Sequence, residues 1–306
     1  MAIISTYGTD TLDDTDFIVG TTAAGLVKRF AASEFGTTGR ELLTANRTYY
    51  SRSDGSDSNT GLVNNSGGAF LTVQKAVDVV CNTLDLGGFD VTIQRTGAVA
   101  ESVVLKDYLG ATATINAVWG LPSGVKILGD RTTLILWEPS STTSNAVQGD
   151  TSRPWILDGF KWAFATSAGF TAVNAGLAPI YVGKVEFGAW TTAYHMGGNV
   201  RITEDYTISG GAIAHRIVSG FAASGAQDHN NYGGATVTLT GTPAFSQAFV
   251  VVDFGYLEAN GITYSGSATG KRYEVSTNGV VQTFGSGANY FPGNAAGTAA
   301  TGGQYV

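Results

Sequence analysis

Two apolar positions separated by one residue recur every 25 residues in the middle of this chain. Ile135 and Trp137 are followed at that spacing by Phe160 and Trp162, and then by Val185 and Phe187. Ile262 and Tyr264 lie 77 residues beyond the last pair, close to three more repeats of the same length. Alternation with a period of two marks a strand. A strand that returns at a fixed interval marks a solenoid, because each repeat can bury its apolar side only against its neighbours. Equivalent residues would then stack about 4.8 Å apart, as ladders of aromatic and branched side chains inside a tube. The competing reading is a β-sandwich with aromatic core strands. Composition suits a chain of many tight turns: glycine supplies 42 of 306 residues, and charged residues only 13% against the ~25% usual in soluble domains. The 43% hydrophobic share is enough for a core and argues against disorder.

A solenoid exposes its apolar interior at its first coil, and the chain carries something to cover it. A turn-rich stretch from Asp54 to Gly68 runs into an amphipathic segment. Leu71, Val73, Ala76, Val77, Val80, Cys81 and Leu84 share one helical face, and Gln74, Lys75, Asp78 and Asn82 the other. Gly87 and Gly88 are the predicted stop. The string Asp54-Gly55-Ser56-Asp57-Ser58-Asn59-Thr60-Gly61, followed by Ala69-Phe70, Thr72-Val73-Gln74 and Ala76, resembles the segment that precedes the first coil in pectin-lyase-like right-handed parallel β-helix proteins. Proline is common in that group where this chain has Ala69. The resemblance implies a fold and leaves activity open, since lyases, hydrolases and non-enzymatic phage fibres share it.

Residues 1–45 read as a separate module. Asp16-Phe17-Ile18-Val19-Gly20, then Gly25-Leu26-Val27-Lys28-Arg29-Phe30 and Ser33-Glu34-Phe35, predict strand, glycine turn, strand and a short serine-capped turn. This resembles the amino-terminal attachment segment of phage tail fibres and spikes. The resemblance implies a virion-attachment role for Phe17, Val19, Lys28 and Arg29. Residues 46–270 are then the helix-capped β-helix, with loops protruding at 219–234. In residues 271–306, Asn278-Gly279 between apolar runs predicts a hairpin. The low-charge stretch after it predicts an assembly tail lying on a neighbouring subunit, and it resembles the carboxyl-terminal segments of tail-fibre proteins.

Catalysis has no evident carrier. Cleaving a glycan takes two carboxylates lining one groove. The acids of the coil region include Asp130, Glu138, Asp150, Asp158, Glu186, Glu204, Asp205, Asp253 and Glu258, and spacing singles out no pair. Asp54, Asp57 and Asn59 imitate a calcium loop loosely, without its sixth-position glycine and closing glutamate, so turn hydrogen bonding is the expectation. His195, His215 and His229 share no metal spacing. No metal or cofactor is expected. Aromatic faces and amide edges suit sugars, which makes Trp190, Tyr194, His229, Asn230 and Tyr232 the candidate glycan contacts. Cys81, on the apolar helix face, is expected to be a buried structural thiol.

The net charge of −7, with no block of Lys and Arg, argues against a nucleic-acid partner. No apolar run approaches the ~20 residues of a membrane-spanning helix, and the first residues lack the basic start and apolar core of a secretory signal. The combined expectation is an all-β virion protein of the tail fibre or tailspike kind, made in a host cytoplasm. It is expected to be homotrimeric, joined to a tail or baseplate protein by its first segment, and in contact with host cell-surface polysaccharide. A tailspike-type depolymerase and a purely structural head, neck or baseplate spike are the alternatives.

Overall fold

The computed structural model describes residues 17–21, 27–31, 39–110, 115–116, 121–122, 124–139, 145–164, 171–175, 178–196, 200–219, 226–227, 235–259 and 261–306. The chain divides into two compact units, residues 1–42 and residues 43–306. In the first, Phe17–Thr21 and Val27–Ala31 pair antiparallel, with Val19 opposite Arg29 and Gly20 opposite Lys28. These are the two predicted strands; the glycine turn between them and the turn at Ser33 lie outside the described residues.

The second unit begins at Leu43, whose side chain is already buried in the core. It is mostly β, in long parallel sheets consistent with a solenoid. The first sheet holds Arg47–Arg52, Val91–Thr96, Val125–Leu128, Trp155–Asp158, Ile180–Val182 and Val200–Ile202, each paired in parallel with the next. The second holds Ile135–Trp137, Phe160–Trp162, Val185–Phe187, Tyr206–Ile208, Thr236–Leu239 and Thr263–Ser265. The third runs from Val103–Leu105 through Val147–Gly149, Thr171–Asn174, Ala193–Met196, Ala214–Ser219, Ala244–Asp253 and Thr269–Ser276 to Thr298–Ala299. A fourth takes over beside the last coils, with Ala226–Gln227, Tyr256–Glu258, Val280–Gln282 and Gln304–Tyr305. The chain visits these sheets in rotation.

The 25-residue repeat is a ladder in the second sheet. Ile135 pairs with Phe160 and Phe160 with Val185; Trp137 pairs with Trp162 and Trp162 with Phe187. The rings of Trp162 and Phe187 stack with centroids 5.7 Å apart. Beyond residue 187 the repeat length varies. Phe187 is in register with Ile208 and Ile208 with Leu239, whereas Tyr264 pairs with Val237. Tyr264 therefore falls in the column of Val185 and Tyr206, two places from the one its spacing predicts. The cause is that coils differ in their turns, and each turn resets the count.

The helix α1 (Val73–Thr83) buries Val73, Ala76, Val77, Val80 and Cys81 and packs on Arg47–Arg52, Val91–Thr96 and Val103–Leu105. The Cys81 thiol is buried and lies 3.6 Å from the Lys106 carbonyl oxygen. Leu71 is outside the apolar face, 42% exposed. The N-terminus is held three ways. Thr72 accepts from Lys75 N–H, Asp57 from Leu71 and Thr72 N–H, and Glu101 from Val73 and Gln74 N–H at 2.6 and 3.2 Å. The loop acids thus serve the turn: Asp54 pairs with Arg52, and the Asn59 amide donates to Ser66 and Ala69 carbonyls. The helix stops at Thr83, ahead of the glycines, because Leu84–Asp85 is drawn out as a strand; Gly87 and Gly88 form the following turn at positive φ.

The tail corrects two expectations. Thr269–Ser276 and Val280–Gln282 do not pair with each other, so residues 271–284 are no hairpin. Each lies parallel on a strand of the preceding coil. Thr277 and Asn278, both at positive φ, turn the corner between sheets. Packing decides this, because both Val275 and Val281 are fully buried in the core. The last residues then lie on their own chain: Thr298–Ala299 on Glu274–Val275, and Gln304–Tyr305 on Val280–Val281. Phe291 is buried against Phe249 and Tyr264, and Tyr305 stacks on Tyr273 at 3.9 Å. Within the expected loop 219–234, Ala226–Gln227 is a strand.

Candidate functional site

Of the candidate glycan contacts, the two described ones, Trp190 and Tyr194, are not on the surface. Tyr194 is fully buried, stacked on Phe187 at 4.9 Å, with its hydroxyl donating to the Gly210 carbonyl. Burial pushes that hydroxyl well above its ordinary pKa. Trp190 is buried beside Phe164. The Tyr194 ring faces inward because it extends the aromatic ladder around a corner from Phe187, where a repeat search within one sheet cannot find it. Trp155 is fully buried as well, its indole N–H donating to Lys106 O at 3.1 Å. His229, Asn230 and Tyr232 lie outside the described residues.

A cleft of about 510 Å³ opens instead where the first sheet turns into the second. Gln94, Thr96, Gly97, Asp130, Arg131, Thr133 and Asp158 line it, with Leu128 and Ile135 as its apolar part. Its rim is the turn after Val125–Leu128. Asp130 holds that turn: its Oδ1 accepts from Thr132 N–H at 2.7 Å and Thr133 N–H at 3.0 Å. Those two bonds hold the Asp130 carboxyl below its usual range. The turn of the next coil comes close beneath. Gly159 sits at φ +84, and a Cβ there would meet Asp130 N at 2.8 Å, so both the conformation and the approach require glycine.

Arg131 ties the turns together. Its Nη1 donates to Asp158 Oδ2 at 2.6 Å, and its Nη1 and Nη2 grip Glu204 at 3.0 and 2.6 Å. Glu204 and Asp158 raise the guanidinium above its ordinary value, against the cost of burial. Asp158 Oδ1 accepts from Lys184 N–H at 2.8 Å. At the back, Gln94 Nε2 donates to the carbonyls of Leu128 and Gly129 at 3.1 and 3.0 Å. Arg95 points inward. Its guanidinium donates to Ser51 Oγ and to the carbonyls of Leu71, Gly97 and Ala98.

Asp130, Asp158 and Glu204 were each visible as acids in the sequence, but spacing did not associate them. They meet because 130 and 158 stand at equivalent turns of adjacent coils and 204 two coils further on, a relation that needs the coil lengths. The group is poorly suited to glycan hydrolysis. A general acid there must keep its proton near neutrality, through a raised pKa. Asp130 is shifted the other way, and Asp158 and Glu204 are engaged by Arg131. Glu186, on the outer face of the second sheet as expected, is paired with Lys161 at 2.6 Å, and its carboxyl is lowered although burial opposes this. Asp253 accepts from Ser276 and is likewise lowered by Thr277 and Ser276 hydroxyls. Polar edges beside an apolar strip, on a rigid sheet, can bind a polyhydroxylated ligand.

Comparison of the chain with protein-family models, with curated proteins and with solved structures gave no match.

Proposed function

We propose that this protein is a bacteriophage virion protein of the tail fibre or tailspike kind that binds host cell-surface glycan without cleaving it. In this reading, residues 43–306 form a right-handed parallel β-helix. The rotation of the chain through parallel sheets supports it, and α1, with its apolar side on the first strands, is the cap of the open end. The N-terminal hairpin carrying Phe17, Val19, Lys28 and Arg29 is the attachment segment to a tail or baseplate protein. A homotrimer belongs to the proposal through the long flat faces of such sheets. The docked tail lends it no support, since residues 298–305 are already paired within the chain.

The observation that carries binding over turnover is the cleft at Asp130, whose carboxylates are held ionised or engaged. Retention of the protein on immobilised host envelope polysaccharide, with no new reducing ends or unsaturated sugars after incubation, is the expected result. Release of defined oligosaccharides, abolished by Asp130→Asn or Asp158→Asn, would instead establish a depolymerase. A monodisperse monomer in light scattering at micromolar concentration would remove the trimer.

A further inference from the structure

The polar groups of the cleft are sorted by direction. Its guanidinium and amide donors are used within the protein, whereas the hydroxyls of Thr96 and Thr133 can donate or accept. Arg131 is spread over two carboxylates, Gln94 Nε2 over backbone carbonyls, and Arg95 over the interior. Among the described residues, two acceptors have no partner: Asp130 Oδ2, since Oδ1 takes both turn N–H groups, and Gln94 Oε1. The hydroxyls of Thr96 and Thr133 stand on the same lining. The turn charges are three carboxylates, Asp130, Asp158 and Glu204, against the one guanidinium of Arg131. The Arg95 charge is offset by that of Glu101.

A site of this kind recognises donors and repels anions. Resting on the glycan-binding reading above, we infer that the cleft selects neutral hexose units, with Asp130 accepting from a vicinal pair of ring hydroxyls, and that it rejects uronate- and sialate-bearing polysaccharides. A fixed carboxylate makes strong charge-assisted bonds to hydroxyl groups. Leu128 and Ile135 offer the C–H face of the ring an apolar strip. The volume of about 510 Å³ falls within the ~300–1,000 Å³ usual for small-ligand sites. An acidic sugar would bring a carboxylate to a rim that already has an excess of them and whose cations are committed, so selectivity comes from repulsion as well as from contacts.

The test uses the full-length protein and immobilised oligosaccharides of matched length, one set of neutral hexoses and one set carrying uronate or sialate, followed by calorimetric titration. Neutral ligands should bind at least about tenfold more tightly than acidic ones, with little dependence on salt. Asp130→Asn keeps an acceptor for the turn and should fold as the parent does, which circular dichroism checks. It should weaken neutral binding about tenfold and narrow the gap to acidic ligands. Lys161→Ala, on the outer face of the second sheet, should leave binding unchanged. Acidic ligands binding as tightly as neutral ones overturn the inference while glycan binding stands. So does neutral binding that Asp130→Asn does not alter. Failure of both sets to bind overturns the glycan reading itself, and this inference with it.

Discussion

Replacing Trp162 by Phe should leave the protein close to its original stability, while the same change at Trp137 should damage it. The two residues are ladder neighbours in the second sheet, both fully buried, with ring centroids 6.1 Å apart. They differ in one atom's surroundings. Trp137 Nε1 donates to the Glu101 carbonyl at 2.9 Å. Trp162 Nε1 is buried without an acceptor among the described residues. Either substitution removes roughly 40 Å³ of side chain, a cavity cost of about 1 kcal/mol at ~24 cal/mol per Å³. At Trp162 it also removes an unsatisfied buried donor, a gain of about 1–3 kcal/mol. At Trp137 it breaks a bond and orphans a carbonyl, a further loss of about 1–3 kcal/mol. The variants should differ by at least about 2 kcal/mol, or at least about 4 °C in midpoint for a unit of this size. Urea denaturation followed by tryptophan fluorescence and circular dichroism, at unchanged m-value, measures the difference. Equal losses, or a larger loss at Trp162, would refute the accounting of the two indole N–H groups.

Three further outcomes follow from the same packing. Burial raises the Glu101 carboxyl above its ordinary 4.5, against the N–H groups of Val73 and Gln74 and the charge of Arg95. The native state therefore binds more protons than the unfolded chain just above pH 4.5, and this residue's contribution to stability falls as pH rises through that window. Glu101→Gln should flatten the pH dependence of the urea midpoint there; a steeper fall in the variant would contradict the assignment. Gly210→Ala should cost about 1–3 kcal/mol, because its Cβ would overlap the backbone of Gly188 and Ala189, whereas Gly67→Ala, with only Asn65 Oδ1 at 3.6 Å, should stay within about 0.5 kcal/mol by thermal melts. A chain that starts at Leu43 should fold with an unchanged midpoint and, if the proposed virion reading holds, fail to join a phage particle; unfolding would put the first segment into the core.

Much of the second unit is legible because its strongest signals are local or strictly periodic. The pairs at 135/137, 160/162 and 185/187 need only a constant coil length, and the structure pairs them as their spacing predicts. The helix needs only its amphipathic pattern, while its cap at Thr72 came from the structure. Reading fails where a competing long-range contact wins. A turn does form beside Asn278-Gly279, but at Thr277 and Asn278, and its flanks pair with the preceding coil and not with each other. Tyr194 has the composition of a surface sugar platform, yet it stacks on Phe187 inside.

Alternation, the 25-residue repeat, the amphipathic helix and the presence of the acids follow from local sequence, since each depends on neighbours along the chain or on one fixed interval. The tertiary structure alone decided which acids share a cleft, which aromatics face inward and where the last strands lie. These depend on how many residues each turn spends between sheets. Turns of different length leave one buried column intact, as Val91, Val125, Trp155, Ile180 and Val200 show, but they change the interval along the chain between its members. Asp130, Asp158 and Glu204 are brought to one guanidinium by that arithmetic of turns, summed over coils that are not all of one length.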